Sequence, residues 1–95
     1  MQFEWDEAKR QANIIKHKID FAEAVTIFDG FVHTHQDLRA DYGEDRYVCT
    51  GLLNGIEITV IYTPRNEKKR IISVRRARKK EREDYYAERK QKMGY

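Results

Sequence analysis

The stretch RIISVRRARKKER, residues 70–82, decides how this chain is read. Ile71, Ile72 and Val74 stand in its first half, while Lys and Arg fill seven of its thirteen positions. A segment that opens on β-branched residues and closes on long charged ones is expected to be a strand running into a helix. Alternation puts Ile72 and Val74 on the covered face of a sheet and Ile71, Ser73 and Arg75 on the other. Arg76 and Arg78 fall where strand meets helix. The densest positive charge of the chain is thus expected on the margin of its own core.

Upstream, the pattern alternates with period two. IEITVIYT (56–63) places Ile56, Ile58, Val60 and Tyr62 on one face and Glu57, Thr59 and Ile61 on the other. PRNEKK is expected as the turn after it, with Pro64 where a strand should stop. RYVCTGLLNG (46–55) is a strand ending in Asn54-Gly55, a hairpin pair because both residues tolerate positive φ. FVHTHQD (31–37) is a further strand, and QDLRADYGED (36–45) an exposed loop.

The first thirty residues change period. FEWD is a brief strand, and Asp6 has the chemistry to cap a helix. Ala8, Ala12, Ile15 and Ile19 recur at helical spacing and are expected to face the core. Asp20 with Glu23 resembles a capping box for a second helix, buried through Phe21, Ala24, Val25 and Phe28 and stopped by a left-handed Gly30. At the other end, RKKEREDYYAERKQK is helical by propensity, with Lys79–Glu83 and Glu88–Lys92 at i,i+4 spacing, before a frayed tail KMGY.

The expected fold class is therefore α+β, in the order β-α-α-β-β-β-β-α. A small antiparallel β-sheet carries two N-terminal helices on one face and a C-terminal helix, with the other sheet face left open. Ninety-five residues make one domain, 1–95, with one modest core. The single Cys49 excludes an internal disulfide framework and a multi-cysteine zinc site. MQFEWDEAKR has no apolar signal-peptide core, and no apolar run approaches the ~20 residues of a membrane span, so a cytoplasmic protein without membrane association is expected.

Charge is uneven. Residues 1–63 carry 6 Lys/Arg and 11 Asp/Glu, a net of −5, and residues 64–95 carry 13 Lys/Arg and 5 Asp/Glu, a net of +8. Such a distribution either balances two halves of one surface or meets a polyanion, of which nucleic acid is the commonest. Arginine grips phosphate bidentately, and tyrosine stacks on splayed bases, so an open face with Arg, Ser, Thr and Tyr suits RNA.

Cutting RNA needs more. In metal-free cleavage the ribose 2′-OH attacks the adjacent phosphate, which requires a base, an acid and positive charge on the transition state. Guanidinium, with a pKa above ~12, supplies only the charge. Arg75, Arg76 and Arg78 suit that role. His17, Lys16, Tyr62 and Glu81 are the candidates for proton transfer; His17 equally suits a helix C-terminus, Lys16 a plain surface and Glu81 the orienting of an arginine. His33 and His35 form His-x-His without a third ligand at useful spacing, so no metal site and no cofactor are expected. Cys49 reads as a small core residue.

Four segments together resemble a known family: FEWDEAKRQANIIKHKIDFAEAVTIFD, GEDRYVCTG, VIYT and RIISVRRARKKERE. With the motifs W-D-x-x-K-x-x-x-N-x-x-K-H, G-E-x-R and R-I-I-S-x-R-x-A, the chain resembles the BrnT toxins of type II toxin–antitoxin modules from Phe3 to about Tyr86. The resemblance implies a RelE-like fold, metal-independent ribonuclease activity that arrests growth, and neutralisation by a BrnA-type antitoxin. That antitoxin carries a ribbon-helix-helix part, so operator DNA is met only through it and the hetero-oligomer represses its own operon. Carried onto this chain, the functional candidates are Lys16 and His17, Arg46, Tyr62, and Arg70, Ser73, Arg75, Arg76 and Glu81. Arg78 and Lys79 extend the RNA-binding charge. Relatives have glycine after K-H where this chain has Lys18, a costly residue if the backbone there is left-handed. The same charge pattern also suits a non-catalytic RNA-binding module or an interaction protein that assists repression; turnover separates these readings.

Overall fold

A computed structural model describes residues 2–94. Strand β1 (Phe3–Trp5) leads into helix α1 (Glu7–His17), and a one-turn helix α2 (Phe21–Ala24) continues as a 3₁₀ segment, Val25–Asp29. Strands β2 (His33–Gln36), β3 (Tyr47–Leu53), β4 (Ile56–Arg65) and β5 (Lys68–Arg76) follow, and helix α3 (Lys79–Met93) closes the chain. Their spatial order is β1-β5-β4-β3-β2.

The sheet is mixed, not antiparallel as expected. Strands β2 to β5 form the meander, but β1 pairs parallel to β5, with Phe3 opposite Lys69 and Trp5 opposite Ile71. Two helices separate β1 from the next strand, so no turn fixes its direction. Both meander hairpins do follow turn chemistry. Asn54 and Gly55 adopt φ of 51° and 79° between the paired Leu53 and Ile56, and Asn66 and Glu67 adopt 52° and 65° between Arg65 and Lys68. Pro64 does not end β4, which runs on to Arg65. Strand β3 begins at Tyr47, opposite Tyr62, so β4 beyond Tyr62 has a strand on one side only and the missing proline N–H is tolerated.

The alternation expected for β5 is broken by a register shift opposite Ile61/Tyr62: Ser73 pairs with Ile61, but Ile71 pairs with Tyr62. Ile72 is the extra residue of a bulge. Ile71, not Ile72, therefore joins Val74 in the core. That core lies between the sheet and the α2–3₁₀ layer and gathers Ile19, Phe21, Ala24, Ile27, Cys49, Ile58, Val60, Tyr62, Ile71 and Val74. A Cβ added at Gly51 would stand 2.9 Å from Ile27 Cβ, so glycine lets the 3₁₀ segment sit down on β3. Cys49 is buried there, with its thiol pushed up to about 11 by burial.

Further expectations change. The opposite sheet face is not open: α3 crosses it, with the Tyr85 ring 5.5 Å from Phe31, Tyr86 Oη donating to Glu57 Oε2 at 2.7 Å, and His33 paired with Glu88. Thr50 and Thr59 are consequently fully buried. Helix α1 turns a different stripe inward, because Ile15 is 74% exposed while Asn13 is buried. Gly30 is extended, not left-handed, since the segment before it has already tightened to 3₁₀. The tail is not frayed as far as Gly94: α3 runs to Met93 and Gly94 caps it at φ 79°, while Tyr95 lies outside the described residues. Along the helix Lys80 pairs with Asp84, where Lys79–Glu83 was expected, and Glu88 with Lys92.

Candidate active site

The site is built where α1 takes over the edge of β5. β1 covers that edge only as far as Ile71. Beyond it, Asn13 of α1 replaces a strand: its Oδ1 accepts the Val74 N–H at 3.1 Å, and its Nδ2 donates to the Ile19 carbonyl at 2.9 Å. One amide thus satisfies two buried backbone groups and fixes the helix against the strand. Arg10 adds a clamp, donating from Nε and Nη2 to both Asp20 oxygens at 2.8 and 2.9 Å.

This docking brings the last turn of α1 to the end of β5. On one side His17 shares a shallow groove of about 320 Å³ with Lys9, Lys16 and Ser73. On the other it shares a cleft of about 360 Å³ with Arg76. Burial, the neighbouring Lys16 and then Arg75 all lower the His17 pKa below 6.5, because each disfavours a second positive charge. The imidazole is therefore neutral at neutral pH, the form that can accept a proton.

Helix α1 ends in a left-handed cap at Lys18, φ 61° and ψ 28°, whose N–H reaches the Ile14 carbonyl. The position after Lys16-His17, where the resemblance led glycine to be expected, is thus left-handed, and lysine occupies it under strain. Its Nζ donates to the Ile15 carbonyl at 3.0 Å, a partial compensation.

Arg75 projects from the other face of β5 into the start of α3. Its Nη1 and Nη2 donate to Glu81 Oε1 and Oε2 at 2.7 and 2.8 Å. Glu81 Oε1 also accepts from Thr59 Oγ1 at 3.1 Å and from the Arg78 N–H at 2.8 Å, the second bond capping α3. Thr59 and Thr50 hydroxyls meet at 2.9 Å beneath. Burial opposes the charge on Glu81, but Arg75 and the Arg78 N–H outweigh it and hold the carboxyl at about 2. Such a carboxylate orients an arginine; it is a poor proton acceptor near neutrality.

The family model for the ribonuclease toxin BrnT, of type II toxin–antitoxin systems, matches residues 5–81. The chain belongs to the BrnT family. Among curated proteins no match is found. The matched span begins at Trp5 and ends at Glu81, so it takes in Lys16, His17, Ser73, Arg75 and Arg76, and leaves most of α3 outside.

In this BrnT-family chain the other residues singled out from sequence lie in two places. Arg78 caps α3 and lines, with Arg75 and Glu81, a groove of about 200 Å³ that also holds His35; Lys79 is exposed beside it. Tyr62, Arg70 and Arg46 are elsewhere. Tyr62 is buried on the other sheet face, its ring stacked on Tyr47 and topped by Lys69 Nζ at 4.6 Å, and burial pushes its hydroxyl up to about 12. It pairs with Ile71, four residues before Arg75, a separation of roughly 13 Å along the strand. Arg70 is tied to Glu4 at 2.9 Å, and Arg46 binds Glu44 at 3.1 Å with its guanidinium 4.0 Å over Tyr42. Lys9 and Asn13 line the groove with His17; both stand at fixed positions of W-D-x-x-K-x-x-x-N-x-x-K-H but were not among the functional candidates. An asparagine inside a helix that otherwise shows good formers was a further signal for Asn13.

Proposed function

We propose that this BrnT-family ribonuclease toxin is a metal-independent endoribonuclease whose reaction is carried by the end of α1 and the end of β5. What supports the reading is the neutral His17 held between Lys16 and Arg76, with Arg75 near enough to depress its pKa. His17 takes the proton from the ribose 2′-OH as its oxygen forms a bond to phosphorus. The bond from phosphorus to the 5′ oxygen breaks, and that oxygen takes a proton from the Lys16 ammonium, leaving a 2′,3′-cyclic phosphate and a 5′-hydroxyl; the proton on His17 returns to Lys16 through solvent. Arg76, exposed at the strand end, and the Ser73 hydroxyl contact the phosphate, while Lys16 stands beside the leaving oxygen. Arg75 supplies field rather than contact, since Glu81 occupies its fork. Arg78 and Lys79 continue the positive track for the RNA backbone. Tyr62, buried away from this edge, has no part in it.

The partner in this reading is a BrnA-type antitoxin with a ribbon-helix-helix part, acting in the cytoplasm. It neutralises the toxin, forms a hetero-oligomer with it and carries the complex to its own operator. Among the described residues no helix is long and apolar enough to cross a membrane.

The test is cleavage of total RNA by the purified chain in excess chelator, beside His17→Ala and Arg76→Ala. Wild type is expected to cut and leave cyclic phosphate ends. Each variant is expected to lose about 10²-fold or more while staying folded. Cleavage that stops in chelator and returns with a divalent cation would overturn the metal-free mechanism. RNA bound but never cut would overturn the enzymatic reading.

A further inference from the structure

The cleft on the far side of His17 shares His17 and Arg76 with the phosphate chemistry above, but the rest of its lining has no task there. Its floor is apolar, made by Ile19 from the α1–α2 junction, Leu53 from β3, and Ile56 and Ile58 from β4. Ile56 is 44% exposed, in a chain whose other sheet isoleucines are largely covered. The volume, about 360 Å³, falls at the lower end of the ~300–1,000 Å³ of small-ligand pockets. Its rim is polar on both sides: Arg76 and His17 on one, Glu23 and Asn54 on the other.

Glu23 is the feature that needs explaining. It is an exposed carboxylate in a cleft that shares its mouth with a cation placed for phosphate, and a fixed negative charge there weakens binding of a polyanion. Its place in the first turn of α2 favours the helix slightly, but Asp20 already caps that turn through the Ala22 N–H at 2.9 Å. A carboxylate does have one strong use beside RNA. It accepts two hydrogen bonds from adjacent N–H donors, and among the four bases guanine alone presents such a pair, N1–H and the N2 amino group, on its Watson–Crick edge. Asn54, held by the hairpin at φ 51°, adds an amide N–H₂ that can donate to the neighbouring O6. The apolar floor then receives the base plane, and the phosphate of the same nucleotide reaches Arg76 and His17.

We infer that this cleft is the base-specificity subsite of the ribonuclease and that it selects guanine in single-stranded RNA, read by Glu23 and Asn54. The inference rests on the proposed reaction for the placement of the phosphate, but its test does not need turnover.

The measurement is binding of the four nucleoside 3′-monophosphates to the intact chain by calorimetry. The guanine nucleotide is expected to bind roughly tenfold or more tighter than the other three. Glu23→Ala and Asn54→Gly, the second chosen because glycine keeps the turn, are expected to remove most of that preference. Arg76→Ala is expected to weaken all four alike and leave the ratio unchanged. Equal binding of the four by wild type overturns the inference, as does a guanine preference that survives both rim variants. Failure of the cleavage mechanism reads differently: selective guanine-nucleotide binding would persist in a chain that does not cut RNA in chelator.

Discussion

Arg75 holds Glu81 across the junction of β5 and α3, so the guanidinium that lends its field to the proposed chemistry is also the clamp on the C-terminal helix. Only 17% and 13% of the two side chains are exposed, and Glu81 also serves Thr59 and the cap of α3. Arg75→Ala is therefore expected to destabilise the fold by about 2 kcal/mol, less than a fully buried pair would cost, because it strands a largely buried carboxylate. That is a fall of about 10 °C in Tm for a chain of this size. Arg76→Ala, at an exposed strand end, is expected to stay within about 0.5 kcal/mol of wild type. Urea unfolding of the two variants decides the matter, and only the Arg76 variant reports cleanly on catalysis.

The same pairing sets a pH dependence. The Glu81 carboxyl titrates at about 2 in the fold against an ordinary 4.5, so the unfolded chain binds the proton first as pH falls. Its stabilisation is fully present above pH 4.5 and is lost progressively between 4.5 and 2, on the order of 2 kcal/mol in all. Glu81→Gln should flatten stability over that interval and lower it at neutral pH. Denaturant midpoints taken at several acid pH values check both.

Activity should respond at a different pH. His17 must be neutral to act as base, and burial, Lys16 and Arg75 lower its pKa below 6.5. The acid limb of kcat/KM is expected below 6.5, with activity rising as pH rises through it. Lys16→Ala removes one of the charges that disfavour protonation, so the limb should move upward, toward 6.5. A pH–rate profile of the two proteins on one short RNA measures the direction.

Asn13 should matter to both stability and catalysis. Asn13→Ala leaves the Val74 N–H and the Ile19 carbonyl buried without partners, an expected loss of about 2–3 kcal/mol. Asn13→Asp keeps the acceptor for Val74 and loses the donor to Ile19, so it is expected to fall between. Residual activity measured where each variant is still folded should drop in the same order, because this amide seats His17 against β5.

Lys18 offers the opposite sign. A left-handed lysine costs about 1–2 kcal/mol, and glycine returns roughly half of that gain as extra freedom of the unfolded chain. Lys18→Gly is expected to stabilise by about 0.5 kcal/mol, read as a higher urea midpoint at unchanged slope.

Local chemistry was legible from residues alone. Asn54-Gly55 specifies its turn through two positive φ values, and Asp6 and Asp20 cap the helices they precede. What escaped was non-local or inverted the usual signal. A bulge adds one residue to β5 and moves Ile71 into the core, and nothing in RIISV marks where the extra residue falls. Helix α1 buries an asparagine and exposes Ile15, the reverse of what hydrophobic spacing reports. The direction of β1 depends on a partner over sixty residues away. For the proposed site, the expectation of phosphate chemistry rests on residue types. Yet Tyr62, three residues from Thr59, lies on the opposite face, as alternation along β4 requires, so its ring is not offered to a base beside Arg75.

The strand that carries Ser73, Arg75 and Arg76 is completed from the far end of the chain. Glu4 reaches Arg70 across 66 residues and Asn13 reaches Val74 across 61. A nascent chain that has emerged only through the β3–β4 hairpin holds Lys16 and His17 but has nothing for them to meet. Closing so long a loop is also a slow step in folding. Competence is thus acquired only once β5 has been made, all at once, which sets a delay between translation of His17 and a first cut and gives a partner protein that interval in which to arrive.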